Sequence, residues 1–340
     1  MNFPAHAGNA SLQDVSAKMG VDGESVLLPE WMKSLHDTLP VCKISIPGTH
    51  DSGAVKGGKM LKTQSVGISA QLQQGIRAFD IRLEKKNGKL GVFHSRAFQD
   101  MYWEDDVLPA FIGFLQAHPS ETLVVSLKKE GGESQDYASL LSASLSAPAH
   151  QRYFVMDFRP ELTLGDCRGK ILFLHRNYVM DSYPGAVCLN WEDDSTCLLT
   201  LRDKSGKEGC ALLEDEYQYE SGKGADEKIE VCIRNFDRVS AEPAFSRRWG
   251  ITFVSATGLP SGTPKVFADK VNEPIADYLK KSGRRNCGIA FIDFVMTGEG
   301  AVWWNVLSIA TFSNHPSVGL TRFCSISLFL PIRFLFSPCL

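Results

Sequence analysis

The chain pairs no two of its nine cysteines as CxxC, and no spacing of cysteine and histidine suits a zinc finger. That argues against a clustered metal domain, and an odd count leaves at least one thiol unpaired within the chain. A reduced protein fits, and a secreted one with some disulfides fits too. Charge of one sign is also lacking: the net charge is -3 over 340 residues, so there is no basic footprint and no nucleic-acid partner is expected. No apolar run reaches the roughly 20 residues of a spanning helix. The start, MNFPAHAGNASLQD, lacks the basic region and apolar run of a secretory signal, which leaves the compartment open between cytoplasm and non-classical export. The Asn9-Ala10-Ser11 sequon is accordingly read as chance. Internal repeats and a Pro/Ser-rich linker are missing as well, so one domain is expected. Present instead is 44% hydrophobic and 22% charged residues, the composition of a soluble globular protein with ample core.

Residues 1–26 form a polar leader, expected to be disordered. Short apolar runs then recur at a spacing suited to β/α alternation: KISI (43–46), AFDIRL (78–83), LGVF (90–93), TLVVSL (122–127), KILFL (170–174), the weaker CALLEDEY (210–217), GITFVS (250–255) and GIAFIDF (288–294). Helix-like stretches separate several of them: VGISAQLQQGI, VLPAFIGFLQAHP, YASLLSASL and KVFADKVNEPIADYLKKSG. Asn87-Gly88 between two strand-like runs marks a hairpin. About eight buried, mostly parallel strands within 27–312 favour a closed or partly open (β/α) barrel, α/β in class, rather than a doubly wound sheet. The acidic, turn-rich stretch from Trp191 to Gly224 reads as loops. Residues 313–340 are an atypical apolar tail, broken by Pro331 and Arg333; it is either an abnormal terminus or a membrane-surface or packing segment.

In a parallel barrel, chemistry gathers at the carboxyl ends of the strands. There the sequence offers Thr49-His50-Asp51, Asp80 and Arg82 on one face, His94, Lys128-Lys129-Glu130, His175-Arg176 and Asp293. Singly, each histidine reads as a rim residue and the lysines as a solvated helix entry. Arg82 and Asp293 inside apolar strands need buried partners or a ligand. Jointly, two histidines, two aspartates, an arginine and a lysine suit metal-free phosphodiester cleavage. One imidazole takes a proton from the attacking hydroxyl, the other gives one to the leaving alkoxide, and a guanidinium holds the phosphate oxygens.

At ISIPGTHDSG (44–53), GIRAFDIRL (75–83), GVFHS (91–95), VVSLKKE (124–130), RGKILFLHR (168–176), EDEY (214–217) and GIAFIDF (288–294) the chain resembles the X-domain family of phosphatidylinositol-specific phospholipases C. The likeness is to the small, bacterial-type, metal-independent members. It implies a distorted TIM barrel, no cofactor and no metal. It makes His50 the general base on the inositol 2-hydroxyl, oriented by Asp293, and His94 the general acid, partnered by Asp51. Arg82 would sit on the phosphate, Lys128, Asp215 and Arg176 on the inositol hydroxyls, and Tyr217 against the ring. The implied products are diacylglycerol and inositol 1,2-cyclic phosphate. The substrate implies peripheral contact of a monomer with a membrane, through aromatics such as Trp103 or Trp303-Trp304, and glycosylated phosphatidylinositol anchors stay open as substrates. Two alternatives remain: a metal-dependent glycerophosphodiesterase on the same barrel, and a catalytically silent lipid-binding barrel.

Overall fold

In the computed structural model the described residues are 28–295, apart from 132–135, 177–182, 220–223, 259–261 and 284–285, together with the backbone of a short hairpin, β1 (Met19–Val21) and β2 (Glu24–Val26). Eleven strands follow: β3 (Ile46–Thr49), β4 (Ala78–Lys86), β5 (Lys89–His94), β6 (Ala97–Tyr102), β7 (Leu123–Lys129), β8 (Ile171–Arg176), β9 (Ala186–Leu189), β10 (Ser195–Arg202), β11 (Glu208–Asp215), β12 (Trp249–Phe253) and β13 (Ile289–Ile292). In the order β3–β4–β7–β8–β9–β10–β11–β12–β13 they close back onto β3, a ring of nine, while β5 and β6 extend from β4 outside it. All neighbours in the ring are parallel except β9–β10 and β10–β11. The molecule is a distorted (β/α) barrel.

Side-chain alternation builds two apolar layers on this ring. Ile46, Ala78, Val124, Leu172, Leu174, Leu213, Ile251, Phe253, Ile289 and Phe291 fill the interior. Their strand neighbours Phe79, Val125, Phe173, Ala290 and Ile292 face outward, into helices Leu108–Ala117, Tyr137–Ser146 and Pro264–Ser282. A Cβ at Gly48 would lie 2.8 Å from the Cβ of Ala78, so glycine lets β3 and β4 approach where the ring closes. Above that point β4 leaves β3 and pairs with β5, through an Asn87-Gly88 turn in which both residues have positive φ. The resulting gap between β3 and β4 is filled by the turn after β3.

Several expectations change. Of the run KISI, Lys43 ends a helical turn (Val41–Lys43) and only Ile46 is in the strand; β3 itself is IPGT, with Pro47 still accepting from the Arg77 amide through its carbonyl. Trp191–Gly224 is not all loops: β10 and β11 form an eight-residue antiparallel ladder there. Its outward positions Thr196, Leu198, Thr200 and Arg202 are not fully buried, and no helix follows β9 or β10 among the described residues, so the polar outer face masked the strand pattern. Helix Ala225–Ser240 was also not anticipated. Trp103 is fully buried, donating from Nε1 to Ser144 Oγ at 2.9 Å, and so cannot be a membrane contact. The Trp303-Trp304 pair and the tail lie outside the described residues.

Candidate active site

The inward parity that fills the barrel with apolar side chains ends in polar ones at the carboxyl rim. Ala78 is followed on the same face by Asp80 and Arg82; Val124 by Ser126 and Lys128; Leu172 and Leu174 by Arg176; Leu213 by Asp215; Phe291 by Asp293. His50 sits in the turn after β3, where Asp51 adopts a left-handed conformation (φ 43°) and Ser52 donates its amide to Asp80 O. Gln64 fixes this turn by donating to the carbonyls of His50 and Ile292 at 2.9 and 2.8 Å.

His50, Arg82, His94, Lys128, Arg176, Asp215, Tyr217 and Asp293 line one pocket of about 320 Å³, while Asp51 and Asp80 are buried and do not line it. His50 Nδ1–H donates to Asp293 Oδ1 at 2.8 Å, which leaves the Nε2 lone pair facing the pocket, where Arg82 Nη2 donates to it at 2.6 Å. Arg82 also donates from Nε to Asp80 Oδ2 at 3.1 Å and lies 3.3 Å from Asp51 Oδ2 through Nη1. His94 donates from Nδ1 to the Leu61 carbonyl at 2.6 Å, which turns Nε2 toward Asp51 Oδ2, 3.6 Å away. The adjacent His50 and Asp51 therefore belong to different pairs, His50 with Asp293 and Asp51 with His94 and Arg82.

Burial and the Arg82 charge drive His50 well below its ordinary value, so the imidazole is neutral with its proton on Nδ1. Burial likewise raises Asp293 well above the carboxylate range. Asp51 is pushed up to about 6, by burial that outweighs the attraction of Arg82 and His94. Burial acts on Asp80 in the same sense, but Arg82, His50 and Arg176 overcome it and hold that carboxyl well below its usual range. Burial opposes the charge on Arg82, yet Asp51, Asp80 and Glu130 together fix it as a cation. Where a carboxylate-bound metal would need several oxygens turned inward, the guanidinium occupies the space between Asp51, Asp80 and His50. Among the described residues no group of three histidine, cysteine or acidic side chains is arranged around a metal position.

The opposite wall carries the remaining polar groups. Arg176 is ion-paired through Nη2 with Asp215, and its guanidinium stacks 4.1 Å from the Trp191 ring, whose Nε1 donates to Asp215 Oδ2 at 2.9 Å. Of the neighbours His175 and Arg176, only the second enters the pocket; His175 is buried outside the ring, hydrogen-bonded to the Pro184 carbonyl. Lys128 lies 3.3 Å from Glu130, which accepts the Ser95 amide at 2.8 Å, and burial lowers the lysine. Tyr217 is anchored by its hydroxyl on Asp193, 3.1 Å away. Glu130 had been assigned no role from sequence, and Ser255, Ala256 and Thr257 had not been singled out at all, although all four line the pocket. For Ser255 a signal was present: it continues the inward parity of Ile251 and Phe253.

The barrel rim gathers two histidines, each with a carboxylate, around the half-buried Arg82, an arrangement able to move protons on either side of a phosphodiester. The sequence agrees: residues 38–177 match the family model of the phosphatidylinositol-specific phospholipase C X domain. Over that stretch the chain is similar to the X domain of that family. It is 26% identical over 288 residues to 1-phosphatidylinositol phosphodiesterase of Listeria monocytogenes, covering 79% of this chain and 82% of the relative. It is 25% identical over 286 residues to the Staphylococcus aureus enzyme of the same name, covering 78% and 87%. The fold is that of the phosphatidylinositol-specific phospholipase C of L. monocytogenes (TM-score 0.67, 24% identity, 84% of this chain and 99% of that one) and of a variant of the S. aureus enzyme (TM-score 0.75, 22% identity, 84% and 98%).

Proposed function

We propose that the protein cleaves phosphatidylinositol in a membrane surface to diacylglycerol and inositol 1,2-cyclic phosphate, without a metal. The observation that carries this reading is the placement of Arg82 between His50 and the Asp51–His94 pair. His50 Nε2 takes the proton of the inositol 2-hydroxyl while Nδ1–H stays on Asp293, which fixes the tautomer and steadies the imidazolium that forms. The 2-oxygen attacks the adjacent phosphorus, so proximity within the substrate replaces any nucleophilic side chain. Arg82 leaves its contact with His50 for the non-bridging oxygens and stabilises the charge gathering there. His94 Nε2 delivers a proton to the departing glycerol oxygen. Lys128, Arg176, Asp215 and Tyr217 hold the inositol ring.

Membrane contact is supported at the rim. Met60 and Val266, on neighbouring helices (Gly58–Leu61 and Pro264–Ser282), are 47% and 39% exposed, and Lys56, Lys59, Lys62 and Lys265 lie close to them in sequence. Apolar side chains flanked by lysines suit an interface with anionic lipid.

The test is phosphatidylinositol vesicles with and without EDTA, followed by 31P NMR. Cyclic inositol phosphate in equal amounts under both conditions is expected. No cyclic product from the wild-type protein would overturn the reading, and loss of activity on chelation would replace it with a metal-dependent phosphodiesterase.

A further inference from the structure

The rim position of β12 has no role in the chemistry above. Ser255 is 3% exposed and lines the pocket, and its Oγ has no hydrogen-bond partner. A buried hydroxyl normally finds a partner, so an orphan that faces a ligand pocket points to a group the ligand supplies. The segment holding it is fixed by its backbone: the Val254 amide donates to Phe291 O at 2.8 Å, and the Thr257 amide to Tyr217 O at 2.9 Å. Ser255 is thus held between two rigid neighbours in the wall of the pocket.

Its place around the rim says which part of the substrate it meets. Continuing the β12–β13 register by two residues sets Ser255 beside Asp293, and continuing the β13–β3 register by one sets Asp293 beside His50. Arg82, on β4, lies on the far side of His50. The rim order is therefore Arg82, His50, Asp293, Ser255. If His50 receives the proton of the 2-hydroxyl and Arg82 holds the phosphate on carbon 1, the ring carbon on the opposite side of carbon 2 is carbon 3. We propose that Ser255 is a further substrate-contacting residue whose hydroxyl hydrogen-bonds the inositol 3-hydroxyl and so sets the rotation of the ring that lines the 2-hydroxyl up with His50 Nε2. This rests on the phosphatidylinositol reading above.

The test pairs Ser255→Ala with a substrate lacking the same contact. The two carriers are wild type and Ser255→Ala; the two substrates are phosphatidylinositol and its 3-deoxy-inositol analogue, with cyclic phosphate measured in each case. With phosphatidylinositol, Ser255→Ala is expected to lower kcat/KM about tenfold, the scale of one neutral hydrogen bond in an enclosed site. With the 3-deoxy analogue the two proteins are expected to be equal, because the contact is missing either way. An equal loss on both substrates would overturn the proposal and make Ser255 a support of Asp293, which a shifted acid limb of the pH profile would then show. No loss on phosphatidylinositol would overturn it as well. A thermal melt of Ser255→Ala separates these outcomes from misfolding, and Ser255→Thr, which keeps the hydroxyl, gives a second reading if the alanine variant is unstable. Failure of the phosphatidylinositol reading itself would show as no cyclic product from wild type, a result distinct from any of these.

Discussion

His50 is placed so that its two nitrogens have separate tasks, and burial decides its charge. With Asp293 accepting from Nδ1 and the Arg82 cation facing Nε2, the protonated ring is disfavoured until a substrate proton arrives. The acid limb of kcat/KM should therefore lie below pH 6.5, the ordinary histidine value, and a pH profile on phosphatidylinositol checks this; a limb above 6.5 would contradict the assignment of His50 as base. His50→Ala and His94→Ala should each lower turnover by roughly 10²–10⁴ while leaving the thermal melt unchanged. Asp51 behaves differently because its folded value, about 6, lies above its unfolded value. The folded state then binds the proton more tightly than the unfolded chain, so this group favours folding in acid and opposes it as pH rises from about 4 to above 6. Asp51→Asn should thus raise stability at pH 7.5 by about 1–3 kcal/mol, with the gain vanishing near pH 4, and should lower activity. Urea unfolding at the two pH values reads the difference, and a gain of the same size at both would exclude titration of Asp51 as its source.

On the scale of strands and helices, the site was legible wherever a strand is buried on both faces. There the apolar run marks the strand, and a polar residue two places past an inward one is already at the rim, as Arg82, Lys128, Arg176 and Asp293 are. Asp215 follows the same rule on β11. The reading failed where one face is wet: β10 alternates Thr196, Leu198 and Thr200 outward with Leu199 and Leu201 inward, and its charged surroundings resemble loop. It failed too at Trp103, since a tryptophan in a polar run gives no sign of whether its indole is covered. The rim helix Gly58–Leu61 is short and would not be found from period, yet it presents Met60 outward and supplies the carbonyl that orients His94. Met60→Asp should cut activity on anionic vesicles about tenfold or more, since a buried charge at an interface is costly, and leave the cleavage of a soluble short-chain phosphatidylinositol nearly unchanged. An equal loss on both substrates would place Met60 in the chemistry rather than at the membrane.

At the scale of the whole molecule, the two ends of the barrel divide polar residues between them. At the carboxyl rim they converge on a cavity; at the amino end they close the barrel. Arg77 and Glu121 form an ion pair of 2.9 Å with both side chains fully buried. Arg77 also donates to the carbonyls of Leu72, Ile76 and Pro29, and Glu121 accepts the Met32 amide. Trp31 donates to Gly75 O, and Arg168 reaches the carbonyls of Met32 and Leu35, so the segment before β3 is sewn across the barrel floor. This lattice lies at the opposite end of the barrel from the candidate site, where charged pairs serve stability. Glu121→Ala removes one partner and leaves the Arg77 cation buried, which should cost about 3–5 kcal/mol, whereas Arg77→Met with Glu121→Leu removes both charges and should recover most of that. The folded fraction of either protein should cleave phosphatidylinositol with the wild-type kcat, because no group at the carboxyl rim has moved. If Glu121→Ala melted normally, the pair would be dispensable to the floor; if it lowered kcat in fully folded protein, the two ends of the barrel would be coupled through the strands that join them.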